Sequence, residues 1–160
     1  VHEWMRLVGF IDEDTLPDDA ALSAVAQRVM PGADTSWIVS RMDWLRQLWA
    51  GPVAQEALAR NGAQELWWER GFAVSDHGQL LQGFFDRVTI YRDKQGKISQ
   101  ARLIDFKTDR LGDSGEHAIA DHYRPQMRVY QRALMKMLNL DPSAVTISLW
   151  LVGDDRLVEL

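Results

Sequence analysis

Residues 80–108 read LLQGFFDRVTIYRDKQGKISQARLIDFKT. Two stretches rich in β-branched and aromatic residues, 80–92 and 98–108, flank Asp93-Lys94-Gln95-Gly96. An Asp/Gly turn between two such runs predicts a pair of antiparallel strands. Residues 65–74 (ELWWERGFAV) have the same character and predict a strand ahead of them, which makes a β-meander. Downstream, a loop with Gly112, Ser114 and Gly115 leads to a long helix from Pro125 to Leu138, with the proline in the first turn where its missing N–H is harmless. Asp141-Pro142 ends that helix, and Val145, Ile147, Leu149 and Leu151, alternating with Thr146, Ser148 and Trp150, predict a fourth strand over 144–152. Upstream, the first third is helical. Asp18 and Asp19 cap a helix with apolar Leu22, Val25 and Val29, closed by Pro31-Gly32. Asp34 opens another, with Trp37, Ile38, Arg41, Leu45 and Leu48 at helical spacing. Gly51-Pro52 starts a short third one that Asn61-Gly62 ends. The order predicts a mixed α/β domain spanning 1–160 around one central sheet, with a helical part at 1–62 and a core at 63–160.

Composition narrows the chemistry. The 160 residues contain no cysteine, which excludes disulfides, zinc–thiolate sites and iron–sulfur clusters. No apolar run approaches the roughly 20 residues that span a bilayer. No signal peptide is visible, and a chain opening on Val1 inside a helix-like stretch is expected to be a piece of a longer protein. The net charge of −5 argues against nucleic acid, but it is unevenly spread. Residues 86–136 hold 11 Lys and Arg against 7 Asp and Glu, and the remainder holds 7 against 16. A basic segment in an acidic shell suits an anionic partner, though a solvated surface has the same composition.

Asp105-Phe106-Lys107 carries the first chemical signal. Residues two apart on a strand share a face, so a carboxylate and an ammonium enter one site. A carboxylate suits Mg²⁺, and a neighbouring lysine can orient water or stabilise charge on a phosphate. An acid-x-Lys triplet is common by chance in so acidic a chain, and an ordinary ion pair is the plain alternative. Asp86 strengthens the signal. It stands on the preceding strand among same-face neighbours Phe84, Val88 and Ile90, where a carboxylate needs compensation, while Arg87 points the other way. Gln126 and Tyr130 are i and i+4 on a helix and share a face. Glu69 interrupts an aromatic strand and can line the same cleft or pair with a surface arginine. His2, His77, His117 and His122 have no partners at metal-ligand spacing.

Taken together, Gly83-Phe84-Phe85-Asp86-Arg87, Leu103-Ile104-Asp105-Phe106-Lys107-Thr108-Asp109 and Tyr123-Arg124-Pro125-Gln126-x-x-x-Tyr130 resemble the motifs of the RecB-like (AddA/RecB C-terminal) branch of the PD-(D/E)XK nucleases. Order and spacing match over residues 83–130. His2 also matches a histidine that this branch carries on an N-terminal helix, and Glu69 a glutamate upstream of the first aspartate. The resemblance implies a restriction-endonuclease-like fold, a mixed central sheet flanked by helices. It implies Mg²⁺, replaceable by Mn²⁺, on Asp86, Asp105, the backbone carbonyl of Phe106 and His2. Lys107 would manage the attacking water or the transition-state charge, Gln126 and Tyr130 would orient Lys107 or the strand, and Glu69 would support the site. The implied activity is Mg-dependent DNA cleavage, exonucleolytic or endonucleolytic, in double-strand break repair and recombination. The implied partners are single-stranded DNA, UvrD/Rep-type helicase domains of the same chain and a second helicase–nuclease subunit. The implied location is the nucleoid of a bacterial cytoplasm and not a membrane. Without cysteine, the sub-branches that carry an iron–sulfur cluster are disfavoured. The alternative is a catalytically silent nuclease-like module that scaffolds a repair complex or guides DNA.

Overall fold

The computed structural model describes residues 1–111 and 115–160. They form two compact units, Val1–Arg60 and Asn61–Leu160.

The first unit is helical: α1 (His2–Met5), α2 (Asp19–Val29), α3 (Thr35–Ala50) and α4 (Pro52–Ala57). Asp18 and Asp34 cap α2 and α3, each carboxylate accepting a backbone N–H of the first turn, from Ala21 and Trp37. Such caps satisfy donors that a helix start leaves without a partner. Leu22, Ile38, Leu45, Leu48 and Trp49 are buried, and the Trp4 indole donates to the Leu22 carbonyl at 2.9 Å. Val29 and Trp37, expected on the apolar stripes, are exposed, and Ala26 and Met42 are buried instead. The stripes hold at Leu22, Ile38, Leu45 and Leu48 and miss at these two positions, because exposed apolar side chains fit a helical period as well as buried ones do. Likewise α4 ends at Ala57, ahead of Asn61-Gly62, which form a left-handed turn.

The second unit is a five-stranded sheet in the order β1-β2-β3-β4-β5. Its strands are β1 (Glu65–Asp76), β2 (Gln79–Arg92), β3 (Ile98–Lys107), β4 (Val145–Leu151) and β5 (Arg156–Glu159), with α5 (Gly115–Leu138) between β3 and β4. The meander β1–β2–β3 is antiparallel, β4 runs parallel to β3, and β5 returns antiparallel. A parallel neighbour demands a crossover, and α5 supplies it. Its residues Met127, Ala133 and Leu134 pack on Val88, Ile90, Leu103, Ile147 and Leu149.

The start of the long helix differs from expectation, and the sheet has one strand more. The long helix begins at Gly115 and has Pro125 in its interior. Pro125 lacks the N–H that would bond to the Asp121 carbonyl. It lies exposed, and the helix continues past it. Of the loop expected before it, Gly112 and Ser114 lie outside the described residues. The fourth strand expected over 144–152 is β4, and in it Ser148 and Trp150 are buried as well as Ile147 and Leu149. A parallel strand inside a sheet is covered on both faces. Finally, β5 follows a turn through Gly153 to Asp155 and had no separate signal in its four residues.

Candidate active site

The β2–β3 ladder pairs Arg87 with Ile104 and goes no further toward Lys107. The next positions in that register are Asp86 and Asp105. Across β1–β2, the position opposite Asp86 is Glu69, and it is the one the ladder passes over between Trp68↔Arg87 and Arg70↔Phe85. Glu69, Asp86 and Asp105 therefore form a row across three strands, placed where both ladders are interrupted. Sequence spacing alone did not show this row.

The interruption has a backbone cause. Glu69 adopts φ 46°, the left-handed region that a β-strand residue other than glycine rarely takes. Face alternation slips there on both strands. Phe85 and Val88, three apart, belong to one hydrophobic cluster, with Phe72 in it and Trp67 packed against it. The apolar surroundings expected for Asp86 are corrected accordingly. Val88 and Ile90 are buried, but Phe84 is 62% exposed, beyond the slip. Arg87 does face away, and its guanidinium lies 4.8 Å from the Trp68 ring centroid. Trp68 in turn stacks on Phe106, 5.8 Å between centroids, which tilts against Trp150 at 5.6 Å.

Asp86, Asp105, Lys107, Gln126 and Tyr130 are each held by a neighbour. Asp86 Oδ2 accepts the Phe106 backbone N–H at 2.8 Å, so a carboxylate takes the bond that a paired strand would have offered. Asp105 is 2% exposed, and Lys107 Nζ stands 2.7 Å from its Oδ2. Lys107 also donates to Gln126 Oε1 at 3.3 Å, and Gln126 Nε2 donates to the Tyr130 hydroxyl at 2.9 Å. The i, i+4 pair on α5 thus reaches the strand pair through Lys107. Tyr130 stands edge-on to Phe72 and Phe85, which stack at 4.4 Å. Gly83 makes room for this arrangement. A Cβ there would meet the Phe72 ring at 3.0 Å and Tyr130 at 3.4 Å.

Electrostatics link the row to the helix. The Tyr130 phenol is pushed above its ordinary value first by burial, then by the charges of Asp105, Asp86 and Glu69, with the Gln126 hydrogen bond opposing. Three carboxylates act on one phenol, which keeps its proton at neutral pH. Tyr123, to which sequence reasoning gave no role, also belongs here. Its ring centroid lies 4.4 Å from Lys107 Nζ, and its hydroxyl donates to Asp109 at 2.6 Å. Its signals were its place at the head of the Tyr-x-x-Gln-x-x-x-Tyr motif and its i, i+3 spacing to Gln126. His2 belongs to α1 of the helical unit. Among the described residues, no three His, Cys, Asp or Glu side chains are gathered as a ready metal cage.

A five-stranded mixed sheet carrying an acid row, an acid-x-Lys strand end and a Gln-x-x-x-Tyr helix defines a restriction-endonuclease-like domain. The chain belongs to the PD-(D/E)XK nuclease superfamily, whose profile matches residues 1–159. Within it, the chain is similar to an ATP-dependent helicase/nuclease protein of Desulforudis audaxviator, 31% identical over 80 residues, which are 50% of this chain and 6% of that protein. It is also similar to the ATP-dependent helicase/nuclease protein of Lachnoclostridium phytofermentans, 37% identical over 60 residues, 38% of this chain and 4% of that protein. The chain thus spans a small part of the length of the curated relatives it matches.

Proposed function

We propose that this chain is the nuclease part of a helicase–nuclease and hydrolyses DNA phosphodiester bonds with Mg²⁺ or Mn²⁺. The observation that carries the reading is the row Glu69–Asp86–Asp105, with Lys107 against Asp105 at 2.7 Å. Family membership supports it.

The donor set fits a divalent cation. Asp86 and Asp105 are hard oxygen donors, Asp105 is almost fully buried, and three carboxylate charges converge on the Tyr130 phenol. Excess negative charge of this kind is compensated by a bound cation. Mg²⁺ keeps several waters and is commonly held by one or two carboxylates plus substrate phosphate, so a three-ligand cage is not required. Asp86, Asp105 and the Phe106 carbonyl would hold it. When bound, the ion supplies Lewis-acid stabilisation of phosphate oxygens and makes water a better nucleophile.

The chain's own groups do the rest. Lys107 brings a fixed positive charge to the phosphate as negative charge builds on it. Gln126 and Asp105 hold that ammonium from two sides. Tyr130, kept protonated, fixes the Gln126 amide. Glu69 adds negative charge opposite Asp86. The substrate in this reading is single-stranded DNA delivered by helicase domains of the longer protein. A second helicase–nuclease subunit is the partner, and the work is double-strand break repair and recombination at the bacterial nucleoid. No helix among the described residues is long and apolar enough to cross a membrane.

The test is cleavage of end-labelled single- and double-stranded oligonucleotides with Mg²⁺, Mn²⁺ or EDTA. Cleavage is expected with either metal, faster on single strands, and none in EDTA. DNA binding without cleavage in any metal would favour a silent scaffold over a nuclease.

A further inference from the structure

We infer that Tyr123 and Asp109 form a positioning pair for the Lys107 ammonium, an inference that rests on Lys107 being the working cation of the proposed nuclease. Tyr123, Gln126 and Tyr130 are spaced i, i+3 and i+7 on α5, so all three line the helix flank that meets the end of β3. Lys107 Nζ is met there from three directions: by Asp105 Oδ2 at 2.7 Å, by Gln126 Oε1 at 3.3 Å and by the Tyr123 ring at 4.4 Å from its centroid. The ring face carries the negative part of the aromatic quadrupole and attracts a cation without consuming a hydrogen-bond donor. The lysine therefore keeps N–H capacity for a phosphate while its place is fixed.

Tyr123 is itself anchored. Its hydroxyl donates to Asp109 Oδ2 at 2.6 Å, and Asp109 lies two residues beyond Lys107. One side chain thus ties α5 to the end of β3 twice, through its ring on the lysine and its hydroxyl on the following segment. The phenol is pushed up to about 12, by burial first and by Asp109 after it, so the donor persists throughout the neutral range. A lysine has a flexible four-carbon stem, and fixing its head before substrate arrives removes ordering from the reaction itself. Tyr123 acts through Lys107 and is a positioning residue.

The experiment compares the chain with Tyr123→Phe, Tyr123→Leu and Asp109→Ala by two readouts. The first is NMR of the lysine ε-methylenes. Lys107 is expected upfield of Lys94, Lys97 and Lys136 through the ring current, with the shift kept in Tyr123→Phe and lost in Tyr123→Leu. The second is single-turnover DNA cleavage at saturating enzyme, with DNA affinity measured separately. Tyr123→Leu is expected to slow cleavage by about 10-fold or more at unchanged affinity, within the range a small misplacement of a catalytic group produces. Tyr123→Phe, which keeps the ring and loses the hydroxyl on Asp109, and Asp109→Ala, which loses the same bond from the other side, are both expected between the parent and Tyr123→Leu. Unaltered Lys94, Lys97 and Lys136 signals report that the fold is kept. A Tyr123→Leu protein with the parental Lys107 shift, or with the parental cleavage rate, overturns the inference. A parent chain that binds DNA and never cuts it counts against the nuclease reading instead, and the NMR readout still decides where the lysine is held.

Discussion

Glu69 occupies a left-handed backbone in the middle of a strand, φ 46°, where glycine would sit without strain. A non-glycine residue there costs on the order of 1–3 kcal/mol. That strain accompanies the placement of a carboxylate opposite Asp86. Glu69→Gly should therefore leave stability equal or raise it by up to about 1 kcal/mol, since glycine's looser unfolded chain offsets part of the relief. Cleavage should fall at the same time. Melting curves and cleavage rates of the variant check both. Lys107 makes the opposite case. It is mostly buried against a carboxylate that is nearly inaccessible. Lys107→Ala leaves that carboxylate without its ammonium and should lower stability by about 1–3 kcal/mol. Mn²⁺ binding should persist while cleavage fails, because the lysine is no ligand. Loss of Mn²⁺ binding, read by calorimetry, would reassign the lysine.

At the scale of elements, α5 and the β1–β2 hairpin set the site. Pro125 stands exposed inside α5 and denies it one backbone hydrogen bond. Pro125→Ala should raise stability, by up to about 3 kcal/mol, with little effect on cleavage. An unchanged or lower melting temperature would show that the helix depends on the proline's shape. The far end of the hairpin is tied to α5 through Asp76, which accepts from Arg132 Nε at 2.6 Å, with Lys136 at 3.8 Å. The Arg132 hydrogen bond is the main cause holding the Asp76 carboxyl below the usual 3.8. A depressed folded-state value means this contribution is complete above 3.8 and is lost as pH falls through the lower folded value. Asp76→Asn should thus melt below the parent at neutral pH, and the gap should close as the solution is acidified below that point.

These elements also show what the sequence could tell. The meander was legible because β-branched and aromatic runs around Asp93–Gly96 admit few other structures, and its strands lie within two residues of their expected ends. Lys107 beside Asp105 follows from strand pleat, and Gln126 beside Tyr130 from helix pitch. The register that lines up Glu69, Asp86 and Asp105 was not legible in local composition, which does not determine pairing across strands, and only the family motifs had grouped the three. Nor was the slip at Glu69, because nothing in Trp68-Glu69-Arg70 demands a positive φ. The start of α5 was misplaced because proline favours a first turn, while an exposed interior proline leaves no mark in the sequence.

For the whole molecule, the claim is that a chain with net charge −5 handles a polyanion. Its basic segment, 86–136, includes both Asp86 and Asp105 along with Lys107 and Gln126, so the residues proposed to meet phosphate fall in the part of the sequence with excess positive charge. The central question is whether Asp105, almost fully buried at the end of β3, is what cleavage depends on. The most direct measurement sets Asp105→Ala beside the parent on one labelled single-stranded oligonucleotide in Mg²⁺, with melting curves to show that both are folded. We predict that the parent cuts and the folded variant does not, at any Mg²⁺ concentration. Parental cleavage by Asp105→Ala would contradict the account.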